Sequence, residues 1–225
     1  MSNQLKVVIQ ASGGVESTTL IHYAMELGHD VSLIAFDTGS VFWLHRDSVA
    51  IKRVVNAVQL QNRLFICKMP QVDQLEYTKD SQYADVGFIP GYKLLMNVAS
   101  MAYAQKVNAH EVWCGNMGDN VYPDESPEFI KSTTELYQRT YGGGIQFVSP
   151  FQQFTKGEVI ERAVELGVDL SMTVSCGDER LFGGFNCGVC PWCKKRRAGF
   201  DAANILDPTY YYALPDTHHN YMQGF

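Results

Sequence analysis

The sequence predicts an α/β protein: a parallel five-stranded sheet flanked by helices, with a small cysteine-rich subdomain on its C-terminal side. Three observations predict it. Strand-like and helix-like segments alternate from residue 5 to residue 166, and such alternation requires crossover units and parallel strands. A glycine-rich turn joins the first strand to the first helix. Four of the six cysteines fall between residues 176 and 193.

The elements follow in order. Leu5 to Gln10 is an apolar strand. Thr18 to Leu27 reads as a helix, with Leu20, Ile21, Ala24 and Leu27 at helical spacing and Gly28 as its C-terminal stop. Val31 to Phe36 is the second strand and runs into Asp37-Thr38-Gly39. Arg46 to Leu60 reads as a helix, Leu64 to Lys68 as the third strand, and Leu94 to Val107, after Pro90-Gly91, as a long helix. Glu111 to Cys114 is the fourth strand. Ser126 then caps a helix that has Pro127 in its first turn. Ile145 to Val148 is the fifth strand, and Thr155 to Leu166 is a helix stopped by Gly167. Right-handed crossovers place helices on both faces. Ligands of such sheets bind at the C-terminal ends of the strands, so the loops after strands one, two and four are expected to carry the chemistry. Residues 207–225 are rich in Tyr and His without periodicity and are expected to pack on the domain or on a partner. The expected organisation is a main domain over 1–170, a metal-binding subdomain over 171–205 and a tail over 206–225.

Composition narrows the function. A chain of 225 residues that is 46% hydrophobic and 19% charged builds one sizeable core. It has no apolar run near the roughly 20 residues of a membrane span. Met1 to Gln10 leads straight into a strand, without the basic and apolar regions of a secretory signal, so a cytoplasmic location is expected. Eighteen basic against 24 acidic residues give a net charge of −6, which argues against direct nucleic-acid binding.

The first strand ends in Ala11-Ser12-Gly13-Gly14-Val15-Glu16-Ser17-Thr18. Glycines let the backbone turn and bring N–H groups close to an anion. The helix N-terminus adds unpaired donors and partial positive charge, and Ser12, Ser17 and Thr18 add hydroxyls. The pattern is a phosphate cradle. It lacks the Lys-Ser/Thr ending of a Walker loop and the glycine spacing of the dinucleotide fingerprint. A tight strand-to-helix turn with a capping serine is the plainer alternative.

Cys176, Cys187, Cys190 and Cys193 have the spacing C-x10-C-x2-C-x2-C. Four thiolates close a tetrahedral Zn²⁺ shell with no open position, which makes the expected role structural. The basic run Lys194-Lys195-Arg196-Arg197 then offsets the excess negative charge of the site. Three alternatives stand beside zinc: a redox pair at Cys190 and Cys193, an iron–sulfur cluster, and buried thiols that bind nothing.

The loop resembles the Ser-Gly-Gly-x-Asp-Ser motif of the N-type ATP pyrophosphatases, the PP-loop superfamily, with Glu16 in place of Asp. Together with the cysteine pattern it resembles the 7-cyano-7-deazaguanine synthase (QueC) family. Further segments agree: Tyr122-Pro123-Asp124-Glu125-Ser126-Pro127-Glu128-Phe129-Ile130, Ser149-Pro150-Phe151, Phe154-Thr155-Lys156, Glu165 to Val168, Thr173 to Cys176, and Arg196 with Gly199 and Phe200. The resemblance implies a Rossmann-like, adenine nucleotide alpha hydrolase-like fold. It implies an ATP-dependent carbon–nitrogen ligase that converts 7-carboxy-7-deazaguanine and ammonia to the nitrile through an adenylated carboxylate. ATP, Mg²⁺ and Zn²⁺ are its implied cofactors and a homodimer its implied assembly. Ala11, Ser12, Gly13, Gly14, Val15, Glu16, Ser17 and Thr18 would hold the phosphates, and Phe36 would flank the adenosine. Lys156 would neutralise pyrophosphate, and Glu16 would reach the metal or water served by the usual Asp. Asp124 would meet the base edge or Mg²⁺, or be a turn residue after Pro123.

The chain departs from the family pattern in three places. Asp37-Thr38-Gly39-Ser40 stands for Asp-Tyr-Gly-Gln, Pro90-Gly91-Tyr92-Lys93 for Pro-Gly-Arg-Asn, and Gly177 for the Tyr after the first cysteine. These departures keep three other readings open: a relative that stops at the amide for DNA modification, a tRNA-thiolating PP-loop enzyme, and a non-catalytic nucleotide-binding protein.

Overall fold

A computed structural model describes residues 4–39, 48–70, 91–119, 122–177 and 184–212. Five strands, β1 (Lys6–Gln10), β2 (Asp30–Asp37), β3 (Leu64–Lys68), β4 (Glu111–Trp113) and β5 (Gln146–Val148), form one sheet in the order β3-β2-β1-β4-β5. Every pairing is parallel; Val7 is in register with Val31 on one side and Glu111 on the other. Val7, Val8 and Ile9 of the central strand are fully buried, as a parallel strand covered on both faces requires.

Among the described residues six helices cover the sheet: α1 (Val15–Glu26), α2 (Ser48–Ala57), α3 (Tyr92–Lys106), α4 (Pro127–Tyr141), α5 (Lys156–Glu165) and α6 (Pro191–Ala202). On one face Val7 and Ile9 pack with Leu20 and Ile21 of α1, Val54 of α2, Ile160 of α5 and Phe200 of α6. On the other, Val8 and Ile34 pack with Met101 of α3 and Ile130 and Tyr137 of α4. Cys176, Cys187, Cys190 and Cys193 form a third cluster with Ala50, Val174 and Trp192. Among the described residues no helix is long and apolar enough to cross a membrane.

Several boundaries differ from expectation for identifiable reasons. Helix α1 begins at Val15 rather than Thr18, because Gly14 is already its N-cap. The second helix ends at Ala57 instead of Leu60, followed by a 3-10 turn over Gln61–Arg63; positions 46 and 47, assigned to it from sequence, lie outside the described residues. Helix α3 begins at Tyr92, after Gly91 at φ +78°. Strand β4 ends at Trp113 rather than Cys114. The periodicity reading missed α6, where Pro191 occupies the first turn and the Cys190 sulfur accepts from the Cys193 N–H as an N-cap. Helix α5 carries the reciprocal capping box of Thr155 and Glu158.

Candidate active site

The chain leaves β1 outward to β2 and β3, then returns to place β4 against the other side of β1. This reversal opens a crevice at the C-terminal ends of β1 and β4, where ligands of open α/β sheets bind. The loop over residues 11–18 enters it from β1, and residues 114–119 enter it from β4.

The glycine loop is fixed from three sides. Gly13 lies at φ +78°, and a Cβ there would stand 2.5 Å from the Ala50 Cβ and 2.7 Å from the Ile51 nitrogen. Only glycine lets the turn press onto the start of α2. The Gly13 carbonyl accepts from the Val174 N–H at 3.0 Å. Ser17 Oγ accepts from the Ser12 N–H and lies 3.2 Å from Ser12 Oγ. Ser12 is exposed at the mouth, while Ala11, Val15 and Thr18 are buried. Ala11 and Val15 belong to the core and offer the cradle backbone alone. Thr18 is fully buried, its Oγ1 without a partner among the described residues, so it faces inward and away from the mouth.

Glu16 and Lys156 form an ion pair at this loop. Lys156 is 6% exposed and opens α5. Its stem lies against Gly199 of α6, where a Cβ would stand 2.5 Å from Lys156 Cγ. Its backbone N–H donates to Asp119 Oδ2 at 3.2 Å, and Asp119 pairs with Lys195 at 3.3 Å. Burial pushes the Glu16 carboxyl up, but the Lys156 ammonium outweighs it and holds the group below its ordinary value. Burial lowers the Lys156 pKa despite Glu16, with Arg196 and Lys195 adding to the effect. An arriving polyanion would meet a buried cation paired with Glu16 and repelled by Arg196 and Lys195.

Asp124 sits apart from this pair, in a 3-10 turn over Pro123–Glu125. Burial raises its pKa; Lys93 opposes the shift and Glu125 adds to it. Lys93 Nζ pairs with Glu125 Oε1 at 3.3 Å. Burial works against the Lys93 ammonium, yet Glu125, with Cys114 and Asp124, holds it above the ordinary lysine value. Phe36 is 7% exposed and packs in the core against the α3 face. His22 loses proton affinity through burial; His45 lies outside the described residues.

Cys176, Cys187, Cys190 and Cys193 are all buried, and their sulfurs lie within 4.8 Å of one another. Two of the separations are 4.0 Å, close to the roughly 3.8 Å edge of a tetrahedron with 2.3 Å metal–sulfur bonds. The N–H groups of Gly177, Cys187, Val189, Cys190 and Cys193 point at sulfurs of the cluster, a pattern that favours thiolates. The donor set fits one metal ion. A Cβ at Gly177 would fall 2.2 Å from the Trp192 ring, so Trp192 fills the space next to the first cysteine.

The basic run is occupied by structural contacts. Fully buried Arg196 donates to Thr173 Oγ1 at 2.8 Å and to the Leu170 carbonyl at 2.9 Å, and faces Asp207 at 3.6 Å. Arg197 lies over the Tyr211 ring at 4.1 Å. Within the described part of the tail, Asp207, Tyr211 and the Tyr212 N–H contact the domain, while Leu206 and Tyr210 are exposed.

Sequence reasoning missed Asp119, Asn116 and the Lys93–Glu125 pair as site residues. The signal for the first two was their place in Gly115-Asn116-Met117-Gly118-Asp119, directly after the fourth strand.

Known proteins resemble this chain in sequence and in fold. The 7-cyano-7-deazaguanine synthase of Xanthomonas axonopodis pv. citri (strain 306) is 29% identical over 227 residues, covering 93% of this chain and 99% of that protein. Among solved structures, the NMN synthetase of Francisella tularensis superposes with a TM-score of 0.51 at 13% identity, over 91% of this chain and 79% of that one. The U34-tRNA thiolase NcsA of Methanococcus maripaludis, solved with its 4Fe–4S cluster, superposes with a TM-score of 0.50 at 14% identity, over 90% of this chain and 66% of that one. At these identities the structures speak for the fold alone. The family described as queuosine biosynthesis protein QueC matches residues 6–204, the span that holds the glycine loop, the Lys156 face and all four clustered cysteines, and the chain belongs to that family.

Proposed function

We propose that this protein is an ATP-dependent ligase that converts 7-carboxy-7-deazaguanine and ammonia to 7-cyano-7-deazaguanine. The observation that carries the reading is the constrained loop over residues 11–18 with buried Lys156 held against it, in a chain of the QueC family. A carboxylate oxygen of the substrate attacks the α-phosphorus of ATP and pyrophosphate leaves. Ammonia adds to the acyl carbon, sheds a proton and expels AMP, giving the amide. A second ATP activates the amide oxygen in the same way; loss of AMP and the remaining nitrogen protons gives the nitrile.

The residues are suited to these steps. Loop N–H groups at the start of α1 bind the leaving pyrophosphate. Lys156 exchanges Glu16 for a phosphate oxygen. Glu16 or Asp124 would hold Mg²⁺, which would supply charge neutralisation at the leaving group. Cys176, Cys187, Cys190 and Cys193 would hold Zn²⁺, which would fix the segment that supports Gly13 and the start of α6; one compact ion matches the sulfur spacing better than a multi-iron cluster. The homodimer and the cytoplasmic location rest on family resemblance and on composition.

The test is incubation with 7-carboxy-7-deazaguanine, ATP, Mg²⁺ and ammonium, with products read by mass spectrometry. Nitrile with AMP and pyrophosphate is the expected result. Amide alone would assign the protein to a specialised amide-forming branch, and ATP binding without turnover would overturn the ligase reading.

A further inference from the structure

Three buried polar groups around Lys93 have hydrogen-bonding capacity left over. Asn97 is fully buried; its Oδ1 accepts from Gln10 Nε2 at 3.1 Å, which leaves its Nδ2 without a partner among the described residues. Asn116 is fully buried; its Nδ2 donates to the Glu125 carbonyl at 3.2 Å, which leaves its Oδ1 unpartnered among them. Glu125 receives Lys93 on Oε1, and its buried Oε2 is left over in the same way. The bonds already made set each free atom's character: one donor at Asn97, two acceptors at Asn116 and Glu125. Buried amides and carboxylates left unpaired are costly, so their gathering calls for a ligand.

Their place in the fold points the same way. Lys93 and Asn97 are four residues apart on α3 and share a face. Gln10 ends β1, and Asn116 follows β4, so the group lies beneath the crevice where the strand order reverses. Gly115 separates it from the glycine loop; a Cβ there would stand 2.8 Å from the Glu16 Cβ. A base seated here would therefore border the nucleotide's phosphates.

We propose that Asn97, Asn116 and Glu125 form the base-reading pocket of this protein and take the lactam edge of a 2-amino-4-oxopyrimidine ring. That edge presents two donors, the 2-amino group and the ring N–H, and one acceptor, the keto oxygen. Glu125 Oε2 and Asn116 Oδ1 accept from the two donors, and Asn97 Nδ2 donates to the keto oxygen. Lys93 holds Glu125 by Oε1 at 3.3 Å and so leaves Oε2 as the free acceptor. It stands where the resembling family has Asn, and Glu125 fills a position that the Tyr-Pro-Asp motif leaves open, so the charged pair is a feature of this chain. The inference rests on the reading that the substrate is a 7-deazaguanine.

The test is calorimetric binding to the full-length, metal-loaded protein of two ligands: 7-carboxy-7-deazaguanine and the same acid without its 2-amino group. The wild type is expected to prefer the amino ligand by about 100-fold or more, since a site built to bond a polar group rejects the analogue that lacks it. Glu125→Gln keeps the oxygen that receives Lys93 and converts the free one to N–H₂; its preference is expected to fall below about 5-fold. Both ligands are measured on one preparation, so partial unfolding cancels in the ratio. Asn97→Asp keeps the bond from Gln10, replaces the free donor by an acceptor oxygen and puts a carboxyl group at a buried position. It is expected to weaken the amino ligand by roughly 10-fold or more, with ATP affinity unchanged. A wild type that discriminates while both variants match it overturns this inference alone. A wild type that binds neither ligand overturns the substrate reading, and the pocket assignment with it.

Discussion

Glu16 and Lys156 lie 140 residues apart in the chain and meet as an ion pair at the phosphate loop. Gly115 and Gly199 permit the approach, one beside the Glu16 Cβ and the other against the Lys156 stem. The pair satisfies a buried ammonium while the site waits for its anion. Truncating Lys156 to Met keeps the apolar stem and removes the charge. Turnover is expected to drop by about 100-fold or more, the scale for loss of one preorganised group at a developing charge. Pyrophosphate release assays on the variant and the wild type decide it.

The same pair gives a pH signature. Glu16 is held below its ordinary value of 4.5 in the folded protein. A depressed carboxylate contributes stability that is fully present above the unfolded pKa and is lost as pH falls through the folded one. The stability difference between wild type and Glu16→Gln should therefore be flat above about pH 5 and shrink steadily below pH 4.5. Urea unfolding at a series of pH values measures it. A difference that grows on acidification would contradict the assignment.

Gly13→Ala should be costly for two reasons. Its φ of +78° disfavours a side chain, and the added methyl would meet Ala50 and Ile51 at 2.5 to 2.7 Å. A loss of at least about 2 kcal/mol is expected, seen as a fall in Tm of roughly 4–8 °C for a chain of this size. Nucleotide affinity should fall with it, since the turn that presents the loop amides is displaced. Calorimetric melting and ATP titration test the two effects.

The cysteine cluster should carry one metal ion per chain, identified as zinc by elemental analysis of native protein. Cys190→Ser should lose it and lower Tm. Gly177→Tyr installs the residue the family commonly has there, yet it should destabilise this protein, because Trp192 already fills the space at 2.2 Å. Adding Trp192→Ala should restore part of the loss, as a double-mutant cycle would show.

Strong local signals made the architecture legible. Apolar β-branched runs marked the strands, glycines marked the stops after α1 and α5, and Ser126-Pro127 marked the start of α4. Helix α6 was hidden because its cap is a cysteine sulfur and its first turn holds a Trp and a basic run rather than an apolar stripe. The glycine loop was visible because its geometry is encoded within a few consecutive residues. The Lys156–Glu16 pair was half visible: each residue belonged to a motif, but their meeting depends on two distant glycines. Lys93 stood in a segment that departs from the family pattern and Glu125 at an open position of one that agrees, and only the fold, by bringing α3 against the turn after β4, makes them partners.

The hydrogen bond from the Val174 N–H to the Gly13 carbonyl joins two regions that a domain diagram draws separately. Val174 is two residues from Cys176, and Arg196, three residues after Cys193, clamps the same strip through Thr173. The strip ends in the four-cysteine cluster on one side and in the glycine loop, the proposed nucleotide cradle, on the other. Ion retention and nucleotide affinity are then reciprocal by thermodynamic linkage: saturating ATP should slow the escape of the metal to a chelator, and a cell short of that metal would first lose nucleotide binding in this protein.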